Sequence, residues 1–161
     1  MRTSTLFTAL LLMAAVPVVS LGQTADGRYA THNGHEMSEE MPDGSTVQMQ
    51  HYTQITFAND RSHPMDNVSS DCMGRFHIAA DGGLISAGGT CTGSDAEGNS
   101  STFWWRADKV MTDDCADLCG SWGYFNGTGK FKGIQGGGTW IRSTQFANGS
   151  SGTWEGKATL M

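Results

Sequence analysis

Methionine and histidine crowd one stretch of this chain. All five histidines lie between His32 and His77, and five of the nine methionines, at 37, 41, 49, 65 and 73, fall among them in "HNGHEM", "QMQH" and "HPM". Thioether sulfur and imidazole nitrogen are the donors that suit Cu(I), so copper is a candidate cofactor with Met49, His51, His63 and Met65 as the candidate ligands. Spacing limits the set. Met49 and His51 are two apart and share a face of a strand, whereas His32 and His35 are not and point to opposite faces. The competing reading places Met49 and His51 in the buried stripe of a strand, because methionine fills cores readily.

Aromatic residues form a second group. Trp104, Trp105, Trp122, Tyr124, Trp140 and Trp154 fall in the last four predicted strands. Alternation sets Trp104 with Arg106 and Asp108 on one face and Phe103 with Trp105 on the other; Trp122, Tyr124 and Asn126 share a face of the next strand. Aromatic walls with one cation or amide suit a planar or apolar ligand carrying one polar group. Trp104, Arg106, Trp122, Tyr124 and Asn126 are therefore the candidate ligand-binding residues. Small barrels also fill their interiors with side chains, and core is the simpler reading of these rings.

Signs of catalysis are fewer. Neither a G-x-S-x-G elbow nor H-E-x-x-H occurs, because "HNGHE" has a different spacing. Glu155, and Asp108 beside Arg106, are the candidate acids for proton transfer if they face an interior. Asp95, Glu97 and Asn99 in "SDAEGN" stand at alternate positions, as Ca²⁺ ligands do, but the twelve-residue loop and closing glutamate are missing and a plain turn is the simpler reading.

The elements that must position these groups are strands. In "VQMQHYTQITF", Val47, Met49, His51, Thr53, Ile55 and Phe57 fall on one face and Gln48, Gln50, Tyr52, Gln54 and Thr56 on the other, the period-2 alternation of a half-buried strand. Arg28 to Met41 reads as a more polar first strand, and "RFHIAADGGLISAGG" as a hairpin about Asp81-Gly82. "STFWWRADKVM", "SWGYFNG", "GKFKGIQGGGTWIRS" and "SGTWEGKATL" complete a set of about eight strands, as expected of an antiparallel sandwich or barrel.

Four cysteines allow three pairings. Counting outward from Asp81-Gly82 sets Cys72 opposite Cys91, although the simplest register makes them a wide, hydrogen-bonded pair unless a bulge or a longer "DGG" turn adjusts it. Cys115 and Cys119 would close a small loop. Free cysteines or a CxxxC metal site remain the alternative, and two cysteines supply half of a structural zinc site.

Six glycines occupy fourteen positions in "GTGKFKGIQGGGTW", residues 127–140. Lys130 stands at the wrong spacing for a phosphate loop, no helix follows, and Lys132 occupies the third glycine position of a dinucleotide fingerprint. Glycines within strands instead let a sheet kink and close, with Phe125 and Phe131 as core and Gly136 to Gly138 as the turn into "TWIRS". This stretch resembles the "GTGxFxGxxG" segment of the dirigent and allene oxide cyclase barrels, and more closely that of small exported bacterial proteins which share Cys72-Met73-Gly74, "GGTC" at Gly88 to Cys91, and "DAEGN" before a Trp-bearing strand. The resemblance spans residues 45–160. It implies an all-β, eight-stranded antiparallel barrel with a lumen, and carries over no catalytic residue.

Residues 1–22 have the parts of a secretory leader: Arg2, an apolar run from Leu6 to Val19, and Ser20 and Gly22 as a small-x-small exit. The run is shorter than the ~20 residues of a bilayer span, so the mature chain is expected to carry no membrane anchor and to form one barrel domain over residues 23–161, secreted or periplasmic. Cysteines on an exported chain favour disulfides. With 10 Lys and Arg against 16 Asp and Glu the formal charge is −6, which argues against nucleic acid as a partner. The expected function is non-enzymatic binding of a small apolar or aromatic ligand; the alternatives are a cofactor-free isomerase or cyclase, a Met/His copper-binding protein, and a structural envelope role.

Overall fold

Short turns cut the chain into strands. Gly44, Gly82 and Gly98 sit at φ of +82°, +87° and +80°, a region that favours glycine. Each shares its turn with an aspartate whose carboxylate accepts an N–H two residues on: Asp43 from Ser45, Asp81 from Gly83, Asp95 from Glu97. In the computed structural model, which describes residues 23–112 and 115–160, the resulting strands are β1 (Gln23–Glu40), β2 (Thr46–Ala58), β3 (Val68–Ile78), β4 (Leu84–Ser94), β5 (Ser100–Thr112), β6 (Cys115–Gly127), β7 (Gln135–Phe146) and β8 (Gly149–Thr159). The leader expected over residues 1–22 lies outside the described residues. Every strand pairs antiparallel with its neighbour in sequence, and β1 pairs with β8 from Gln23↔Ala158 to His32↔Gly149. The expected eight-stranded antiparallel barrel is therefore closed.

The hairpin of β3 and β4 resolves the cysteine register. Ala79 N–H donates to the Gly83 carbonyl at 2.7 Å, so the loop has three residues rather than two. A register shift between His77 and Ile78 compensates. Cys72 and Cys91 end directly opposite each other with Cα atoms 4.1 Å apart, joined by a disulfide inside the barrel, where both are 1% exposed. A second disulfide links Cys115 to Cys119, at the start of β6 rather than in a separate loop.

The facing of β2 is the reverse of the buried stripe expected. Gln48, Gln50, Tyr52, Gln54 and Thr56 line the interior, which puts Val47, Met49, His51, Ile55 and Phe57 outside. Phe57 is 41% exposed. Period-2 alternation separates two faces but does not say which turns inward when the interior is a polar cavity. The glycine stretch differs as well. Gly136 to Gly138 lie within β7, and the turn before them is the 3-10 segment Gly129–Phe131. Phe131 is buried as expected at 1%, whereas Phe125 is 61% exposed on the outer surface.

The two ends of the barrel differ. The end reached by the β2–β3 loop and the segment between β6 and β7 is filled by Phe103, Phe131, Ile134, Met65 and Ala158. The end bearing the β1–β2, β3–β4 and β7–β8 turns is open, and the cavity there runs past Glu36, Gln48, Leu84 and Gln145.

Candidate lumen binding site

Tryptophans shape the cavity because glycines on adjacent strands leave room for them. A Cβ on Gly120 would lie 2.7 Å from Trp140, and one on Gly27 would lie 2.8 Å from Trp154. Gly156 is likewise overlain by Trp122, and Gly74 and Gly89 by Trp105. The rings then meet edge to face: Trp105 and Trp140 at 6.0 Å and 82°, Trp122 and Trp154 at 6.0 Å and 89°. That geometry is favourable for ring quadrupoles and fixes the indoles as rigid walls. Phe103, packed against Trp122, and Phe76, packed against Trp105, complete the aromatic side.

The opposite wall is polar. Gln48, Gln50 and Gln54 of β2 and Thr31 and Asn33 of β1 bring amides and a hydroxyl to a cavity of about 770 Å³, within the usual range for small-molecule sites. Near the open end Arg142 of β7 grips Asp117 of β6 with two parallel hydrogen bonds, Nε to Oδ2 at 2.6 Å and Nη2 to Oδ1 at 2.8 Å. This fork is the strong, orientation-fixing form of a charge pair. Arg142 and Tyr29 both pair with Gly152, from either side of β8. A Cβ on Gly152 would lie 2.7 Å from the Tyr29 Oη, so the phenol leans across the glycine toward Arg142.

The electrostatics follow from these contacts. Hydrogen bonding from Arg142 outweighs partial burial and holds the Asp117 carboxyl below the usual carboxylate range. Burial pushes the Tyr29 phenol well up, against the pull of the Arg142 charge, so it is a proton-bearing donor at neutral pH. The cluster offers a cation, an anion and a hydroxyl at one end of an aromatic slot. It can orient a hydrogen-bonding group on a ligand.

Sequence-predicted binding residues divide between the two sides of the wall. Trp122 lines the cavity and Tyr124 is packed beneath it with Phe103. Trp104 and Arg106 stand outside, with the Arg106 guanidinium 5.7 Å from the Trp104 ring centre and bonded to Asp108 at 2.7 Å. Their face turns outward because Phe103 and Trp105 turn inward. Asn126 is exposed and accepts from the Gly127 N–H. Glu155 is exposed on the outer side of β8 and accepts from the Thr139 hydroxyl. Arg142, Asp117, Tyr29 and the three glutamines were not among the expected residues.

The proposed copper ligands are also separated. His63 and Met65 are buried in the β2–β3 loop, where the Met65 N–H donates to His63 Nδ1 and the His63 ring packs 5.4 Å from Trp154. Met49 and His51 are on the outside of β2. As for Asp95, Glu97 and Asn99, the cation among them is the chain's own: Lys130 Nζ lies 2.7 Å from Asp95 and 3.6 Å from Glu97.

Among solved structures the chain is similar to two pterocarpan synthase dirigent proteins. With GePTS1 the TM-score is 0.52 at 13% identity over 95% of this chain and 100% of that one; with PsPTS1 it is 0.51 at 13% identity over 86% and 96%. No family model matches the chain, and no curated protein does. The likeness is one of fold, and it bears out the dirigent-like barrel expected from the glycine stretch.

Proposed function

We propose that the chain is an exported, non-enzymatic binding protein whose barrel holds a small, flat, largely apolar or aromatic ligand by its rings. The observation that carries this reading is the open cavity of about 770 Å³ with indoles on one wall and the Arg142–Asp117 fork at its mouth. The rings supply apolar area, and the fork with the Tyr29 hydroxyl orients one hydroxyl or carbonyl of the ligand. Two disulfides suit an oxidising compartment, and no helix among the described residues is long and apolar enough to cross a membrane. The two dirigent proteins of similar fold are named for pterocarpan synthesis, which makes an aromatic ligand a reasonable first choice.

A cofactor-free isomerase or cyclase is the weaker reading. Asp117 is held ionised by Arg142 and has no proton to give at neutral pH, Glu36 meets the cavity only where it is exposed at the open end, and Asp108 and Glu155 stand outside. Titration of tryptophan fluorescence with a panel of hydroxylated bicyclic aromatics, with product analysis of the same mixtures, separates the two. Saturable quenching with unchanged ligand supports carriage. Turnover of the ligand would replace that reading with the cyclase one, and no quenching by any member would remove the aromatic-ligand reading.

A further inference from the structure

Closing the barrel brings together methionines that are far apart in sequence. Met37 of β1 is the direct partner of Met49 on β2, and Met73 of β3 is the direct partner of His51, two residues along from Met49. All four lie on the outer side of the sheet, opposite the inward Gln48, Gln50 and Tyr52. Met37 is 59% and Met73 43% exposed. Directly paired side chains have Cβ atoms ~5 Å apart, so three flexible thioethers and one imidazole can converge on a single ion. We propose that this face of β1, β2 and β3 is a soft-metal site that takes Cu(I), or Ag(I) in its place, through Met37, Met49, His51 and Met73.

Several features fit a soft monovalent ion. Thioether-rich sets select Cu(I) over hard divalent cations, and among the described residues no three His, Cys, Asp or Glu side chains gather to hold a hard one. Asp71 lies 3.8 Å from His51 Nε2, beyond hydrogen-bond distance but near enough for its exposed carboxylate to turn toward the imidazole and orient it when an ion is held. The other ring nitrogen, Nδ1, faces Gly34, where a Cβ would lie 3.2 Å away and crowd it. A register shift between Asn33 and Glu36 leaves Gly34 and His35 together against His51 alone. Arg75, the partner of Met49, puts a positive charge beside the site and penalises a divalent ion more than a monovalent one. His63 and Met65 take no part.

Ag(I), which avoids redox chemistry, is the probe. It would be titrated into the disulfide-bonded protein labelled at the methionine methyls, with native mass spectrometry reading stoichiometry. One ion per chain is expected, with the methyl resonances of Met37, Met49 and Met73 shifted and that of buried Met65 unmoved. Replacing all three outer methionines by leucine should abolish the complex, Met65→Leu should leave it intact, and Asp71→Asn should weaken it about tenfold. Absence of a bound ion in the wild type, retention of the ion by the triple variant, or shifts confined to other methionines would each overturn the proposal. Should the triple variant fail to fold, the methyl shifts of the wild type decide alone. Fluorescence titration of the cavity ligand is unaffected by either result.

Discussion

Trp104 and Trp105 are adjacent in sequence and opposite in role. Trp105 packs against Tyr52 and Trp140 inside the barrel, whereas Trp104 covers Gly123 on the outside beneath Arg106. Trp104→Ala is expected to leave ligand affinity unchanged and to cost about 1 kcal/mol of stability, read by denaturant unfolding. Replacing the fork by Arg142→Met with Asp117→Asn removes the hydrogen-bonding end without stranding a charge. That double variant should weaken a hydroxylated aromatic by about tenfold or more while leaving its unsubstituted parent compound unaffected, as fluorescence titration would show; equal losses for both compounds would mean the fork shapes the cavity and does not bind. Neither half of the fork was among the expected residues, although Arg142 carried a signal that could have found it, since it shares a face with Trp140 in "TWIRS" and an arginine beside an aromatic is a recognisable pattern. Asp117 carried none, because it sits between two paired cysteines where register shifts interrupt the alternation. Tyr29 carried no signal, lying in a strand of mostly polar composition.

Between strands, two tethers connect the elements that enclose the site. The Cys72–Cys91 disulfide joins β3 to β4 beneath Tyr52, and replacing both cysteines by alanine should lower unfolding free energy by about 3 kcal/mol in chemical denaturation. The second tether runs from the β4–β5 turn to the segment after β6. Asp95 accepts from Asn99 and binds Lys130, and the Lys130 N–H donates to Asn99 Oδ1. Burial alone would raise the Asp95 carboxyl, but hydrogen bonds from Lys130 and Asn99 outweigh it and hold it far below the usual range. A carboxyl depressed on folding contributes stability above its unfolded value of ~4 and loses it as pH falls toward the folded value. Thermal midpoints of Asp95→Asn should therefore lie below wild type at neutral pH and fall less steeply under acid. A parallel acid limb would assign the loss to other carboxylates, since Asp43, Asp60 and Asp117 are shifted in the same direction. Strands and turns at this scale were readable from alternation and from Asp-Gly pairs. The facing of β2 was not, because a barrel with a wet interior can turn glutamines inward and leave Phe57 and Met49 outside.

For the whole molecule, the decisive step is the meeting of the chain's two end strands. Nothing in periodicity says that a first and an eighth strand will pair; that expectation came from the likeness of the glycine stretch to known closed barrels. In the structure the seam of β1 and β8 runs for ten residue pairs and abolishes both edges of the sheet, which would otherwise template aggregation. Contacts across it join residues as distant as Thr31 and Ser150, so loop-closure entropy opposes the seam more than any hairpin. Gly27 is one of its exacting positions. It pairs with Trp154 on one side and Ala58 on the other, and a Cβ there would run into the Phe57 carbonyl oxygen of β2 and lie 2.8 Å from the indole. Gly27→Ala must therefore move β1 away from the Phe57 carbonyl of β2 and push the ring out of the wall, at a cost of about 1–3 kcal/mol. Hydrogen exchange should show protection lost first in β1 and in its two partners β2 and β8 and kept in β3 and β4, whose disulfide is remote from the seam, with concentration-dependent self-association as the new edges pair. Uniform loss of protection around the barrel would instead mean that the sheet opens cooperatively and that the seam is no weaker than the hairpins.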